Sequence, residues 1–193
     1  MKVNETFELN NGVKIPVFGL GTWFIDNDRV DQVIVEATKL GIRHIDTAQA
    51  YGNEVGVGKG IKECGIPREQ LFITTKVAAE HKDYTSAKKS ILESLKKLNL
   101  DYIDLVIIHA PQPWNSFREG HYFKENKEVW KALEDLYEEG KVKAIGVSNF
   151  LIEDLKNILE DCKIKPMVNQ ILTHISNTPL ELIEFCKENN IVL

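Results

Sequence analysis

The feature that most constrains this chain is an alternation of short apolar runs with longer amphipathic segments, repeated almost from one end to the other. Apolar runs begin near Val17, Arg43, Leu71, Asp104, Val142 and Met167, and a last one opens at Ile191. Leu105-Val106-Ile107-Ile108 is apolar at every position, as a parallel strand covered on both faces must be. Between the runs, the spacing of apolar residues predicts helices. Val30, Val33, Ile34, Ala37 and Leu40 share one face, and Gly41 stops that helix. A second helix runs from Glu54 to Cys64 and ends at Gly65. A third carries Ala87, Ile91, Leu95 and Leu98 behind a Thr85 or Ser86 cap. A fourth carries Val129, Ala132, Leu133 and Leu136 and ends at Gly140, and a fifth uses Leu155, Ile158 and Leu159. The sixth opens with a capping box, Thr178 to Glu181, with Pro179 in its first turn. Near the N-terminus, Phe7-Glu8-Leu9 and Val13-Lys14-Ile15 flank Asn10-Asn11-Gly12, a hairpin signal.

Strands separated by helices build an α/β fold on a parallel sheet. Two architectures fit, an open doubly wound sheet and a TIM (β/α)8 barrel. A doubly wound dinucleotide-binding sheet carries GxGxxG after its first strand. Here that place reads Gly19-Leu20-Gly21-Thr22-Trp23-Phe24, without the third glycine. Gly56, Gly58 and Gly60 have the wrong spacing and follow no strand, and Gly52 to Lys59 is one residue too long for a phosphate loop. The barrel is therefore the expected fold, as one domain over residues 1–193 with no linker or low-complexity tract. A complete barrel takes about 250 residues, so this chain supplies about six βα units and the start of a seventh strand. The reading is an incomplete barrel with an N-terminal hairpin and the C-terminal portion missing. Its first strand, Val17-Phe18-Gly19-Leu20, and its last, near Met167 and Ile191, are then open apolar edges. Neither carries the lysines, prolines or bulges that protect an edge, which predicts self-association through them.

Composition narrows the function classes. The chain is 43% apolar and 27% charged, the profile of a soluble globular protein. A net charge of -5 argues against nucleic acid as a partner. No run of about 18 apolar residues exists, so no membrane span is expected. The polar start carries no signal-peptide core. Cys64, Cys162 and Cys186 are far apart, which suits a reducing cytoplasm and neither a disulfide frame nor a zinc site. The histidines at 44, 81, 109, 121 and 174 lack metal-ligand spacing, so no metal is expected.

In such barrels the chemistry sits where the strands end. Collected in order, those ends give Gly21, Thr22 and Trp23; Asp46, with Tyr51 on its loop; Lys76; His109; Ser148 and Asn149; and Gln170. Asp46 and Lys76 are expected to form a partly buried ion pair, whose ammonium lowers the pKa of Tyr51 toward the working range. His109 can hydrogen-bond a substrate oxygen. With no strong nucleophile, the set suits protonating the oxyanion that forms when hydride reaches a carbonyl carbon, which implies a nicotinamide cofactor. The amides of Asn149 and Gln170 suit its carboxamide. Trp23 and Trp114 suit the walls of an apolar substrate pocket.

These segments carry a resemblance. Gly19-Leu20-Gly21-Thr22-Trp23, His44 through Glu54, Ile73-Thr74-Thr75-Lys76-Val77, Ile145-Gly146-Val147-Ser148-Asn149-Phe150 and Val168-Asn169-Gln170 are similar to the aldo-keto reductase family. The resemblance implies NADPH-dependent reduction of an aldehyde or ketone to an alcohol. It makes Tyr51 the general acid, Asp46 and Lys76 its tuning pair and His109 the substrate-orienting residue. It places Ser148, Asn149 and Gln170 on the nicotinamide carboxamide and Gly21-Thr22 against the cofactor (NADPH/NADP+). Family members usually read Gln-Ile-Glu-Tyr-His-Pro after the sixth strand, whereas this chain reads Gln170-Ile171-Leu172-Thr173-His174-Ile175. The resemblance also places the nicotinamide-stacking aromatic, the pyrophosphate clamp and the 2′-phosphate readers in the last third of the family fold. Two other readings compete. A truncated, non-catalytic member of the fold would serve as a binding or structural subunit. A serine hydrolase would use Ser148 in Gly146-Val147-Ser148-Asn149-Phe150, although Phe150 replaces the final glycine of the GxSxG elbow.

Overall fold

Six strands, β3 (Gly19–Gly21), β4 (His44–Asp46), β5 (Phe72–Val77), β6 (Leu105–Ile108), β7 (Ile145–Ser148) and β8 (Asn169–Gln170), lie side by side in sequence order, all parallel. They follow the hairpin of β1 (Thr6–Glu8) and β2 (Lys14–Pro16). The structure is a computed structural model, and it describes residues 5–193. Each expected apolar run contains or adjoins one of these strands. The run at Ile191 does open a further pairing: Val192 forms a parallel bridge with Val168, and its N–H donates to the Met167 carbonyl at 2.9 Å. In the hairpin, Phe7 sits opposite Ile15 and Gly12 takes the positive φ of 84° that the turn requires.

Helices cover the outer face: α1 (Val30–Lys39), α2 (Glu54–Glu63), α3 (Tyr84–Leu98), α4 (Phe123–Glu138), α5 (Ile152–Asp161) and α6 (Leu180–Glu188). Their buried residues and those of the strands form one core, with Ile45, Ile73, Ile107 and Ile145 fully enclosed. The three close-spaced glycines of α2 have a packing cause. A Cβ at Gly56 would lie 2.1 Å from the Asn27 carbonyl oxygen, and one at Gly58 would lie 2.5 Å from that of Leu98. The glycines let α2 press between α1 and the end of α3.

Three local expectations are corrected. Leu40 lies outside α1 and is exposed, while Asp31 is buried on that helix and takes Lys59 as ion-pair partner. The cap of α3 is Asp83, whose carboxylate accepts the Ser86 N–H at 2.9 Å, rather than Thr85 or Ser86. The capping box at Thr178 does not form: its hydroxyl donates to the His174 carbonyl at 3.1 Å, and Pro179 precedes α6 without a side-chain cap.

Candidate active site

The register of the sheet decides which side chains meet. Asp46 lies beside Thr74, Lys76 beside Ile107, Ile107 beside Gly146, and Ser148 beside Gln170. Side chains alternate faces along a strand, so Asp46, Lys76, His109, Ser148 and Gln170 all share the inner face. Between β4 and β6 the inner residue steps two positions further along each strand, the stagger of a sheet curling toward a barrel.

Lys76 is 1% exposed and its ammonium donates to Asp46 Oδ1 and to the Thr47 carbonyl, the latter at 2.9 Å. The other Asp46 oxygen accepts from Gln170 Nε2 at 2.9 Å, a bond that reaches across the open side of the sheet. Burial pushes Lys76 below the ordinary lysine range and Asp46 pulls it back. Tyr51 ends a 3-10 turn, Gln49–Tyr51, that the left-handed Gly52 terminates. Lys76 Nζ lies 4.9 Å from its ring centre, and the ring stacks on Trp23 and meets the edge of His109 at 5.6 Å.

The expected lowering of the Tyr51 pKa is not what this arrangement produces. The phenol is pushed up to about 12, first by burial and then by the Asp46 carboxylate. The lysine charge is paired with Asp46, so little of it acts on the phenol. Tyr51 is therefore protonated throughout the physiological range, the form that can donate. An alkoxide is a stronger base than a phenolate, so proton transfer from this phenol to a forming alkoxide remains downhill. His109 is pushed down to about 4, by burial and then by Lys76, and is a neutral imidazole near pH 7. Its Nδ1 is buried without a hydrogen-bond partner among the described residues.

Trp23, Tyr51, His109, Trp114, Asn149 and Gln170 line one cleft of about 610 Å³, with Ser148 at its base. The His109 ring lies edge-on to Trp114 at 5.2 Å. Ser148 Oγ donates to the Gln170 carbonyl at 2.9 Å. Asn149, at a left-handed φ of 62°, donates from Nδ2 to the His109 carbonyl at 3.0 Å and to Ser148 Oγ at 3.1 Å. No histidine hydrogen-bonds Ser148 among the described residues, so nothing here activates it as a hydrolase nucleophile.

Two expected cofactor residues stand apart. Thr22 is fully buried, its N–H and hydroxyl both donate to the Asp46 carbonyl, and its own carbonyl accepts from Asn53. It fastens β3 to β4. Gly21 lies on the neighbouring groove between β3 and β8, beside Asp46. The sequence reading missed Ala50, Ile171 and Leu172 as cleft residues. Their positions, next to Tyr51 and directly after Gln170, were the available signal.

The sequence pattern of the Aldo/keto reductase family matches residues 17–193, and the chain belongs to that family. It is 44% identical over 192 residues to a protein named glyoxal reductase from Bacillus subtilis (strain 168), covering 99% of this chain and 66% of that protein. The crystal structure of an aldo/keto reductase from Brucella melitensis superposes with a TM-score of 0.90 at 42% identity, covering 97% of this chain and 70% of that one. A Bombyx mori aldo-keto reductase, solved in complex with NADP, superposes at 0.88 with 35% identity, covering 99% of this chain and 65% of that one. This chain thus spans about two thirds of these relatives' length, and its sheet matches the corresponding part of their barrel.

Proposed function

We propose that this chain carries the proton-donating half of a carbonyl reductase that converts an aldehyde or ketone to an alcohol. The observation that supports it is the meeting of Tyr51 and His109 in one apolar cleft, with the Lys76–Asp46 pair packed against the Tyr51 ring. The relatives' names, a glyoxal reductase among them, and the NADP complex of a structural neighbour point the same way. NADPH, when bound, supplies the hydride. The residues present fit a nicotinamide carboxamide: Asn149 and Gln170 line the cleft, and their Oδ1 and Oε1 accept no hydrogen bond from a described residue, so both are free to accept from a primary amide.

In this reading Tyr51 delivers its proton to the carbonyl oxygen as negative charge develops there. Lys76, fixed by Asp46 and the Thr47 carbonyl, stands against the Tyr51 ring, 4.9 Å from its centre, and fixes the orientation of the phenol. His109, neutral, donates an N–H to the same substrate oxygen and fixes its direction. Trp23 and Trp114 exclude water from the apolar part of the substrate.

Tyr51→Phe tests the assignment in whichever form of the protein turns over. Loss of the acid is expected to lower kcat by about a hundredfold or more while NADPH affinity, read by nicotinamide fluorescence, stays nearly unchanged. Retention of more than about a tenth of kcat would remove Tyr51 from the role, since that is worth less than one pKa unit of barrier.

A further inference from the structure

The backbone that leaves β6 is held in an unusual way. The carbonyls of His109, Ala110 and Pro111 accept no backbone N–H among the described residues. Each is taken instead by a side chain from a different element. Asn149, after β7, donates to His109 at 3.0 Å; Lys82, in the β5–α3 loop, donates to Ala110 at 2.9 Å; Asn126, in α4, donates to Pro111 at 3.0 Å. Lys82 also donates to Asn126 Oδ1 at 2.9 Å, which fixes the orientation of that amide. Ala110, Pro111 and Asn126 are buried, so these carbonyls could not turn to water. Three residues beyond this clamp, Trp114 forms a wall of the cleft and packs on His109.

We propose that Lys82 and Asn126 are a positioning pair that sets the Trp114 wall, and through it the bulk of the carbonyl substrate the cleft admits. The substrate clause rests on the reductase reading; the positioning clause does not. An ammonium is a costly way to hold two acceptors. Burial pushes Lys82 down to about 8, while Glu80 on its own loop, Asp154 on α5 and Glu125 on α4 pull it back up. Its Nζ also lies over the Tyr122 ring, 6.0 Å from the centre. A cation here ties together the β5–α3 loop, the β6–α4 loop and α4, which an uncharged donor of shorter reach could not.

The test is hydrogen–deuterium exchange read by mass spectrometry on the 193-residue chain, comparing residues 110–118 with α3 as an internal reference. Lys82→Met is expected to speed exchange in 110–118 by up to roughly tenfold, the scale of one hydrogen bond's net contribution, with α3 unchanged. Asn126→Asp keeps the acceptor for Lys82 but removes the donor to Pro111. It is expected to show the same local effect, and it serves if the lysine variant does not fold. Where the protein turns over, Lys82→Met should raise KM for a bulky aromatic aldehyde with kcat held, and leave a small aliphatic aldehyde unaffected. Unchanged exchange in both variants, exchange rising equally in α3, or a fall in kcat at constant KM would each overturn the proposal. The exchange arm needs no turnover, so its failure is separate from failure of the reductase reading.

Discussion

His109 and His44 are kept neutral by burial, so acid weakens the fold through them. An unfolded imidazole takes its proton near 6.5, whereas His109 resists protonation until about 4, and His44 is shifted the same way. Between those values the unfolded chain binds more protons, so stability rises with pH there and is lost on acidification. The contribution is fully present above about 6.5. Unfolding free energies from urea titrations at pH 7 to 4.5 should fall with a slope of up to about 1.4 kcal/mol per pH unit for each such histidine. His109→Gln should reduce that slope and leave the part due to His44; an unchanged slope would mean that His109 is not held neutral. At this scale the sequence was informative where a residue's address was a strand end, which is how Asp46, Lys76 and His109 were found. It was silent on Lys82 and Asn126, which act on main-chain carbonyls from a loop and a helix turn and belong to no strand-end pattern. It also misjudged the Tyr51 pKa, because a nearby lysine is visible in the sequence and the burial of the phenol, which raises the pKa, is not.

Among the elements, α2 is the most tightly constrained by its neighbours. Gly56→Ala and Gly58→Ala would drive a methyl into the Asn27 and Leu98 carbonyls, where the contacted atoms are backbone and cannot swing aside. Each substitution should cost about 1–3 kcal/mol, as overpacking does. Gly21→Ala, with nothing within 4 Å of the added methyl, is the control for chemical denaturation. Equal midpoints for all three would show that α2 has room to shift. The existence and order of the elements were legible because buried parallel strands leave continuous apolar runs and the helices between them keep their 3.6-residue period. The ends were less so. Asp83, rather than Thr85 or Ser86, caps α3, and Thr178 bonds backward to His174 instead of forward into α6. Several residues at each end had a capping side chain, and the path of the preceding loop chose between them.

For the whole molecule, the decisive feature is the groove between β3 and β8. It runs past Phe7, Val17, Val168, Ile171 and Val192, and β3 and β8 are the edge strands of the sheet. An apolar groove flanked by the edge of β3 and by that of β8, which only Val192 pairs, is a template for another chain. The 193 residues by themselves are expected to self-associate at micromolar concentration and to bind NADPH weakly. Size-exclusion chromatography with light scattering, run beside an NADPH titration, checks both; a stable monomer with micromolar affinity would contradict the expectation. Two ties bridge this groove. Asn10 of the hairpin turn donates to the carbonyls of Pro166 and Asn190 at 3.0 and 3.2 Å, and Gln170 reaches Asp46 near the rim. In mechanical terms the sheet is a split ring, and a split ring deforms most easily by changing the width of its gap. Gln170 stands on one lip and Asp46 one strand in from the other, so a change in gap width strains the bond to the carboxylate that holds Lys76 under Tyr51. If Tyr51 is the acid, as proposed above, its chemistry and the closure of the ring share one elastic coordinate, with the Gln170–Asp46 bond as its gauge.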